Sequence, residues 1–189
     1  MTVKEILRSA ILFSNKPELL ALSTFCAESQ TLPSVAQQAE IDLFVQCFNF
    51  VYKEIASTYF PLLEKEEITF KDNKFYFSDL SKTIISIKKL YKNRKNIKHY
   101  VYPDHIYAET DTATIVYASL PKNFALEDEV NLFGGRVLEQ VMAYGVAREY
   151  AVILGNFSDA DVWEARFKTA LETSFSGRKV AILPKRRFF

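Results

Sequence analysis

The chain has 189 residues, 49% of them apolar and 25% charged, and 24 basic against 23 acidic side chains leave a net charge of +1. That balance supplies enough apolar surface for a sizeable core and excludes a disordered chain; 5 Gly and 6 Pro exclude collagen-like and Pro-rich classes. Sixteen Phe, ten Tyr and one Trp are the marked compositional feature, since aromatics supply large buried areas in cores and interfaces.

In chain order, the period of the apolar residues separates helical from extended segments. Thr2 followed by Glu5 is a capping-box pair, with Ile6, Leu7, Ala10 and Ile11 forming the stripe behind it. Pro17 suits the first turn of a second helix carrying Leu19, Leu20, Leu22, Phe25 and Cys26. A third helix is expected over 35–59, with Ile41, Phe44, Val45, Phe48, Tyr52 and Ile55 at three- and four-residue steps and Pro61 as its stop. From about residue 66 the period falls to two. Asp72-Asn73 reads as a hairpin turn that sets Phe70 opposite Phe75 and Ile68 opposite Phe77. Further strands are expected over 83–91, 97–102, 106–109 and 113–118.

Helix then returns. Residues 128–150 read as one long helix with a small-residue face at Ala143, Gly145, Ala147 and Ala151, closed at Gly155. Ser158 is expected as the cap of a final helix, with Phe157 and Val162 as its hydrophobic staple and Trp163, Phe167 and Leu171 lining one side. The fold class is therefore α+β: N- and C-terminal helices form a bundle, an antiparallel β insert buds from it, and an extended C-terminal tail follows. The boundaries are 1–62 for the first helices, 63–122 for the insert, 123–176 for the last helices and 177–189 for the tail.

The inventory offers no catalyst. His99 and His105 lie in the β insert beside tyrosines, a setting that favours packing over general-base work. No nucleophile elbow, zinc-protease helix or phosphate loop is present, and Gly134-Gly135 follows no strand. Glu127, Asp128 and Glu129 suit the electrostatics of a helix N-terminus. Cys26 and Cys47 read as buried free thiols, not disulfide partners. The expectation is a non-enzyme without metal or cofactor. Met1-Thr2-Val3-Lys4-Glu5 opens no secretory signal, and no run reaches the ~18 apolar residues of a membrane span.

Charge placement is more informative than net charge. Lys88, Lys89, Lys92, Arg94, Lys95 and Lys98 form a basic run without an acid, as do Arg178, Lys179, Lys185, Arg186 and Arg187. The first run is either a solvated hairpin loop or a contact for DNA phosphates or an acidic protein surface. In the tail, Val180-Ala181-Ile182-Leu183 and Phe188-Phe189 interleave apolar groups with the cations, so Arg178, Lys179, Ile182, Leu183, Lys185, Arg186, Arg187, Phe188 and Phe189 are the candidate partner-binding residues. Docking of that tail on its own domain is the alternative.

These segments resemble a known family. The helix Asp42-Leu43-Phe44-Val45-Gln46-Cys47-Phe48-Asn49-Phe50-Val51-Tyr52 with Tyr59-Phe60-Pro61-Leu62, the run Phe75-Tyr76-Phe77-Ser78-Asp79-Leu80, the stretch Val141-Met142-Ala143-Tyr144-Gly145-Val146-Ala147-Arg148-Glu149-Tyr150, then Gly155-Asn156-Phe157, Trp163-Glu164-Ala165-Arg166-Phe167 and the ending Pro184-Lys185-Arg186-Arg187-Phe188 are similar to the head–tail connector (neck adaptor) proteins of tailed bacteriophages. The resemblance covers most of the chain. It implies a virion structural protein, assembled in the host cytoplasm as a ring, twelvefold, between the portal protein and neighbouring tail or neck proteins. It further implies that double-stranded DNA passes through the lumen without sequence-specific binding, and that the tail grips the portal. The competing readings are a DNA-binding or packaging accessory protein using the basic run and the tail, and an intracellular enzyme built on His99, His105 or the Glu127 cluster.

Overall fold

The computed structural model describes residues 1–26 and 28–176. It is an α+β fold in the order N-terminal helices, antiparallel β insert, C-terminal helices. The described residues divide into two compact units, one made of Met1–Val51 with 124–176, the other of Tyr52–Asn123. The first boundary, after Val51, falls inside a helix, eleven residues before the end of the 1–62 segment read from the sequence. The tail, with all nine of its candidate residues, lies outside the described residues.

In the helical unit, α1 (Val3–Phe13) opens with the expected capping box: Glu5 N–H donates to Thr2 Oγ1 (3.3 Å) and Thr2 N–H to Glu5 Oε2 (2.7 Å). Two further first-turn donors, Val3 N–H and Lys4 N–H, reach the carbonyls of Asp128 (3.1 Å) and Leu126 (2.9 Å). The acidic stretch 127–129 therefore does sit at a helix N-terminus, but that of α1. The segment after Pro17 is a five-residue 3-10 helix, Pro17–Ala21, not a second α-helix. It still buries Leu19, and the chain beyond it buries Leu22 and Phe25, whereas Cys26 is only half-buried. Helix α2 (Val35–Thr58) begins with a second capping box, Ser34 with Gln37, a spacing that the sequence reading passed over.

The largest departure lies in residues 128–150. Helix α3 starts only at Glu139 and runs to Ile153. Phe133, Gly134 and Gly135 have φ of 55°, 68° and 75°, a left-handed run that no right-handed helix can include. Helix α3 ends in a Schellman turn, with Gly155 N–H on Val152 O and Asn156 N–H on Ala151 O. Helix α4 (Phe157–Ser176) follows at once, so Ser158 lies in its first turn and not at its cap. The staple does not form: Phe157 is 66% and Val162 51% exposed. Phe167 and Leu171 are buried as expected, whereas Trp163 is half-buried against Phe13 and Tyr144.

Helix α3 packs on both α4 and α1. Its small-residue face has a definite purpose at Gly145, where a Cβ would stand 2.6 Å from Val51 Cγ1 and 3.0 Å from Phe167 Cε2. Valine is stiff about χ1 and cannot swing away. Gly145→Ala should therefore destabilise by about 1–3 kcal/mol through overpacking, against a helix-propensity gain of roughly 1. A variant that melts above the wild type would show that Val51 has room to move.

The β unit holds a four-stranded antiparallel sheet, β1 (Leu62–Thr69), β7 (Thr112–Ser119), β3 (Ile84–Lys92) and β4 (Lys95–Asn96) in that order, and a three-stranded one ordered β2 (Lys74–Tyr76), β6 (His105–Tyr107) and β5 (Tyr100–Val101). The turn at Asp72-Asn73 is as expected, with φ of 52° and 60° and Lys71 and Lys74 exchanging both backbone hydrogen bonds at 2.9 Å. Phe70 and Phe75 meet across it, their rings 6.2 Å apart. The expected pairing of Ile68 with Phe77 does not occur. Past the turn β1 turns to β7 and β2 to β6, placing Ile68 opposite Ala113, and Phe77 starts a 3-10 turn. Ile68, Phe70, Phe75, Leu90, Ile106, Ile115 and Tyr117 form the core of this unit.

Candidate functional site

Of the two basic features, the run 88–98 is described, and it forms the hairpin of β3 and β4. Asn93 and Arg94, with φ of 50° and 66°, make the two-residue turn, and Tyr91 pairs with Asn96 and Lys92 with Lys95. A register shift between Ile87 and Lys89 explains how two successive lysines reach solvent: the extra residue of a bulge breaks the alternation, Lys88 and Lys89 are both exposed, and Leu90 returns to the core.

All six cations are exposed, and among the described residues none forms an ion pair. Lys92 Nζ donates to Thr110 Oγ1 (3.3 Å) and Lys98 Nζ lies 5.7 Å from the centre of the Tyr100 ring. The six do not line one common depression. Lys88, Lys89 and Arg94 share an open groove of about 420 Å³ with Leu63, Tyr91 and Val116. Lys92 borders a different depression, with Glu67 and Thr112, and Lys98 a third, with Tyr100 and Tyr107. Five of the six cations thus line three depressions, and the groove at Lys88, Lys89 and Arg94 offers apolar surface beside its charge. Such a groove can hold an anionic group while covering an apolar one.

The remaining candidates are held in packing arrangements. His105 stacks on Tyr102 (4.6 Å, 7° between planes) and its Nδ1 is 2.7 Å from Asp104 Oδ1. That hydrogen bond is the main reason that the Asp104 carboxyl titrates below its ordinary value. His99 Nδ1 sits 2.9 Å from the Ile97 carbonyl. Burial, aided by the charge of Glu149, pushes the Cys47 thiol up to about 12, so it stays protonated and unreactive at neutral pH. Among the described residues, no three His, Cys, Asp or Glu side chains are placed to hold a metal ion, and no helix is long and apolar enough to cross a membrane.

Sequence reasoning missed three charged networks. Glu40 accepts from Tyr150 Oη and pairs with Lys16 at 2.8 Å. Glu66 accepts from Tyr117 Oη and from the Ser81 hydroxyl. Arg148 joins Glu149 and Glu164, each at 2.7 Å. The last had a signal: an arginine within the largely apolar stretch 141–154 requires a partner.

Burial alone would raise the carboxyls of Glu40, Glu66 and Glu164, but hydrogen bonds from their partners outweigh it and all three titrate below the ordinary glutamate value. A folded-state value below the unfolded one adds stability above the unfolded pKa and loses it as pH falls through the folded one. The melting temperature is therefore expected to hold from neutral pH down to about 5.5 and to fall steeply below about 4.5. Glu40→Gln should shallow that fall, and an unchanged pH profile in this variant would remove Glu40 from the account. Neither a protein-family model nor a curated protein sequence matches this chain.

Proposed function

We propose that the chain is a non-catalytic structural protein of a phage virion, a head–tail connector that assembles as a ring between portal and tail and lets double-stranded DNA pass. The observation that carries the reading is where the quoted resemblance falls on the fold. The stretch 141–150 lies in α3, Gly155 in its closing Schellman turn and the run 163–167 in α4. The segments before and after the β insert flank it with helices in the order that the resemblance implies.

The exposed cations of the β3–β4 hairpin support a second reading, a DNA-binding or packaging accessory protein. Solution mass with negatively stained images, over a range of protein concentration, separates the two. The connector reading expects closed rings with a central hole, and expects removal of residues 178–189 to abolish capture by portal rings while leaving the fold intact. Monomers at every concentration that do not bind portal rings, together with duplex DNA affinity falling steeply with salt, would replace it by the accessory reading.

A further inference from the structure

The charges of this molecule are segregated between its two units. Among the described residues, the helical unit carries seven basic against fourteen acidic side chains, and the β unit twelve basic against nine acidic. Two surfaces concentrate the difference. On the β unit, the groove at the β3–β4 hairpin sets Lys88, Lys89 and Arg94 around Leu63, Tyr91 and Val116, and Leu63 is 58% exposed. On the helical unit, the turn from α3 to α4 forms a knob on which Ile153, Leu154, Phe157 and Val162 are exposed beside Asp159 and Asp161. Asp161 has no ion-pair or hydrogen-bond partner among the described residues. One surface is apolar and cationic, the other apolar and anionic.

We infer that the α3–α4 knob of one copy docks in the hairpin groove of the next, Phe157 and Val162 covering the apolar floor while Asp159 and Asp161 face Lys88, Lys89 and Arg94. The contact joins two different patches of one chain, so it is head-to-tail and propagates from copy to copy, and a closing rotation makes a ring. The inference rests on the connector reading for that closure and adds to it the residues that hold neighbouring copies together. It explains two otherwise costly features: a partnerless set of like charges, and an apolar cluster at a helix turn where the staple has failed to form. A complementary partner offsets both.

The test uses two full-length variants. One reverses the groove (Lys88→Glu, Lys89→Glu, Arg94→Glu) and the other reverses the knob (Asp161→Lys, Val162→Lys). All five positions are exposed, and circular-dichroism melting checks that each variant is folded. By analytical ultracentrifugation at low salt the wild type should assemble, losing most of its assembly at about 0.5 M salt, where the Debye length is roughly 4 Å. Each variant alone should remain monomeric, because groove and knob then carry net charge of the same sign. Mixed in equal amounts they should assemble again, alternating, since the acidic groove of the first meets the basic knob of the second and the unaltered surfaces meet each other. Variants that assemble like the wild type would overturn the contact and leave the connector reading standing. Failure of the mixture to recover would likewise overturn it, and a wild type monomeric at low salt would overturn it together with self-driven ring formation.

Discussion

Phe167→Ala should cost about 3–5 kcal/mol in urea unfolding, the range for removing a fully buried aromatic ring. Phe167 is completely buried, its edge closes on the backbone of α3 at Gly145, and the Arg148 guanidinium lies 4.8 Å from its ring centre. Deleting the ring removes the contact across the α3–α4 interface and leaves a hole in a place that two helices keep apart. Trp163→Ala, four residues earlier on the same side, should cost only about 1–3 kcal/mol. Its ring stacks on Phe13 at 5.0 Å and on Tyr144 at 5.8 Å, but solvent already reaches it, so aromatic contacts of roughly 0.5–1.5 kcal/mol each account for much of its contribution. Equal losses for the two variants would show that the open side of Trp163 is covered in solution.

Arg148→Ala is the second large effect. Arg148 is 9% exposed and bridges Glu149 and Glu164 from α3 to α4. Breaking a buried pair by deleting one partner typically costs about 3–5 kcal/mol. Both carboxylates keep partial access to water, and Lys168 stays 2.7 Å from Glu164, which places the expected loss nearer 2–4 kcal/mol. Arg148→Lys should recover little, because one ammonium cannot serve two carboxylates while lying flat on the Phe167 ring. Arg148→Met separates packing from charge. If methionine matches alanine, the ion pairs carry the loss; if it restores most of the stability, the side-chain stem on Phe167 does.

The difference between Trp163 and Phe167 marks how far periodicity can be read. Residues at four-residue steps share a helix face, but the width of the neighbouring element decides which of them is covered, and that element was 150 positions away at Phe13. Local signals transferred well: the capping box of Thr2, the left-handed turn at Asp72-Asn73 and the closing glycine of α3 each depend on residues within one turn of chain. Readings that required partner choice did less well. The Phe70–Phe75 contact is set by the turn, but Ile68 is claimed by β7, which the spacing could not foresee. The start of α3 was misplaced because apolar residues at Val130, Leu132 and Val137 are buried without being helical. The basic run was legible as charge, whereas the exposure of both Lys88 and Lys89 depends on a bulge that composition cannot show.

The pairing of Leu62 with Ser119 at the mouth of the β unit bears on how the chain reaches this fold during synthesis. The helical unit is written in two pieces, separated by the 72 residues Tyr52–Asn123. Joining them across an unstructured spacer of that length costs about 4 kcal/mol of chain entropy. Once β1 and β7 have zipped, the spacer is tied at its base with Cα atoms roughly 5 Å apart, and most of that cost has been met before α3 and α4 exist. The insert thereby acts as a molecular clasp: an uninterrupted stretch, complete in sequence before α3 and α4, whose closed base leaves those later helices a short tether to α1 and α2.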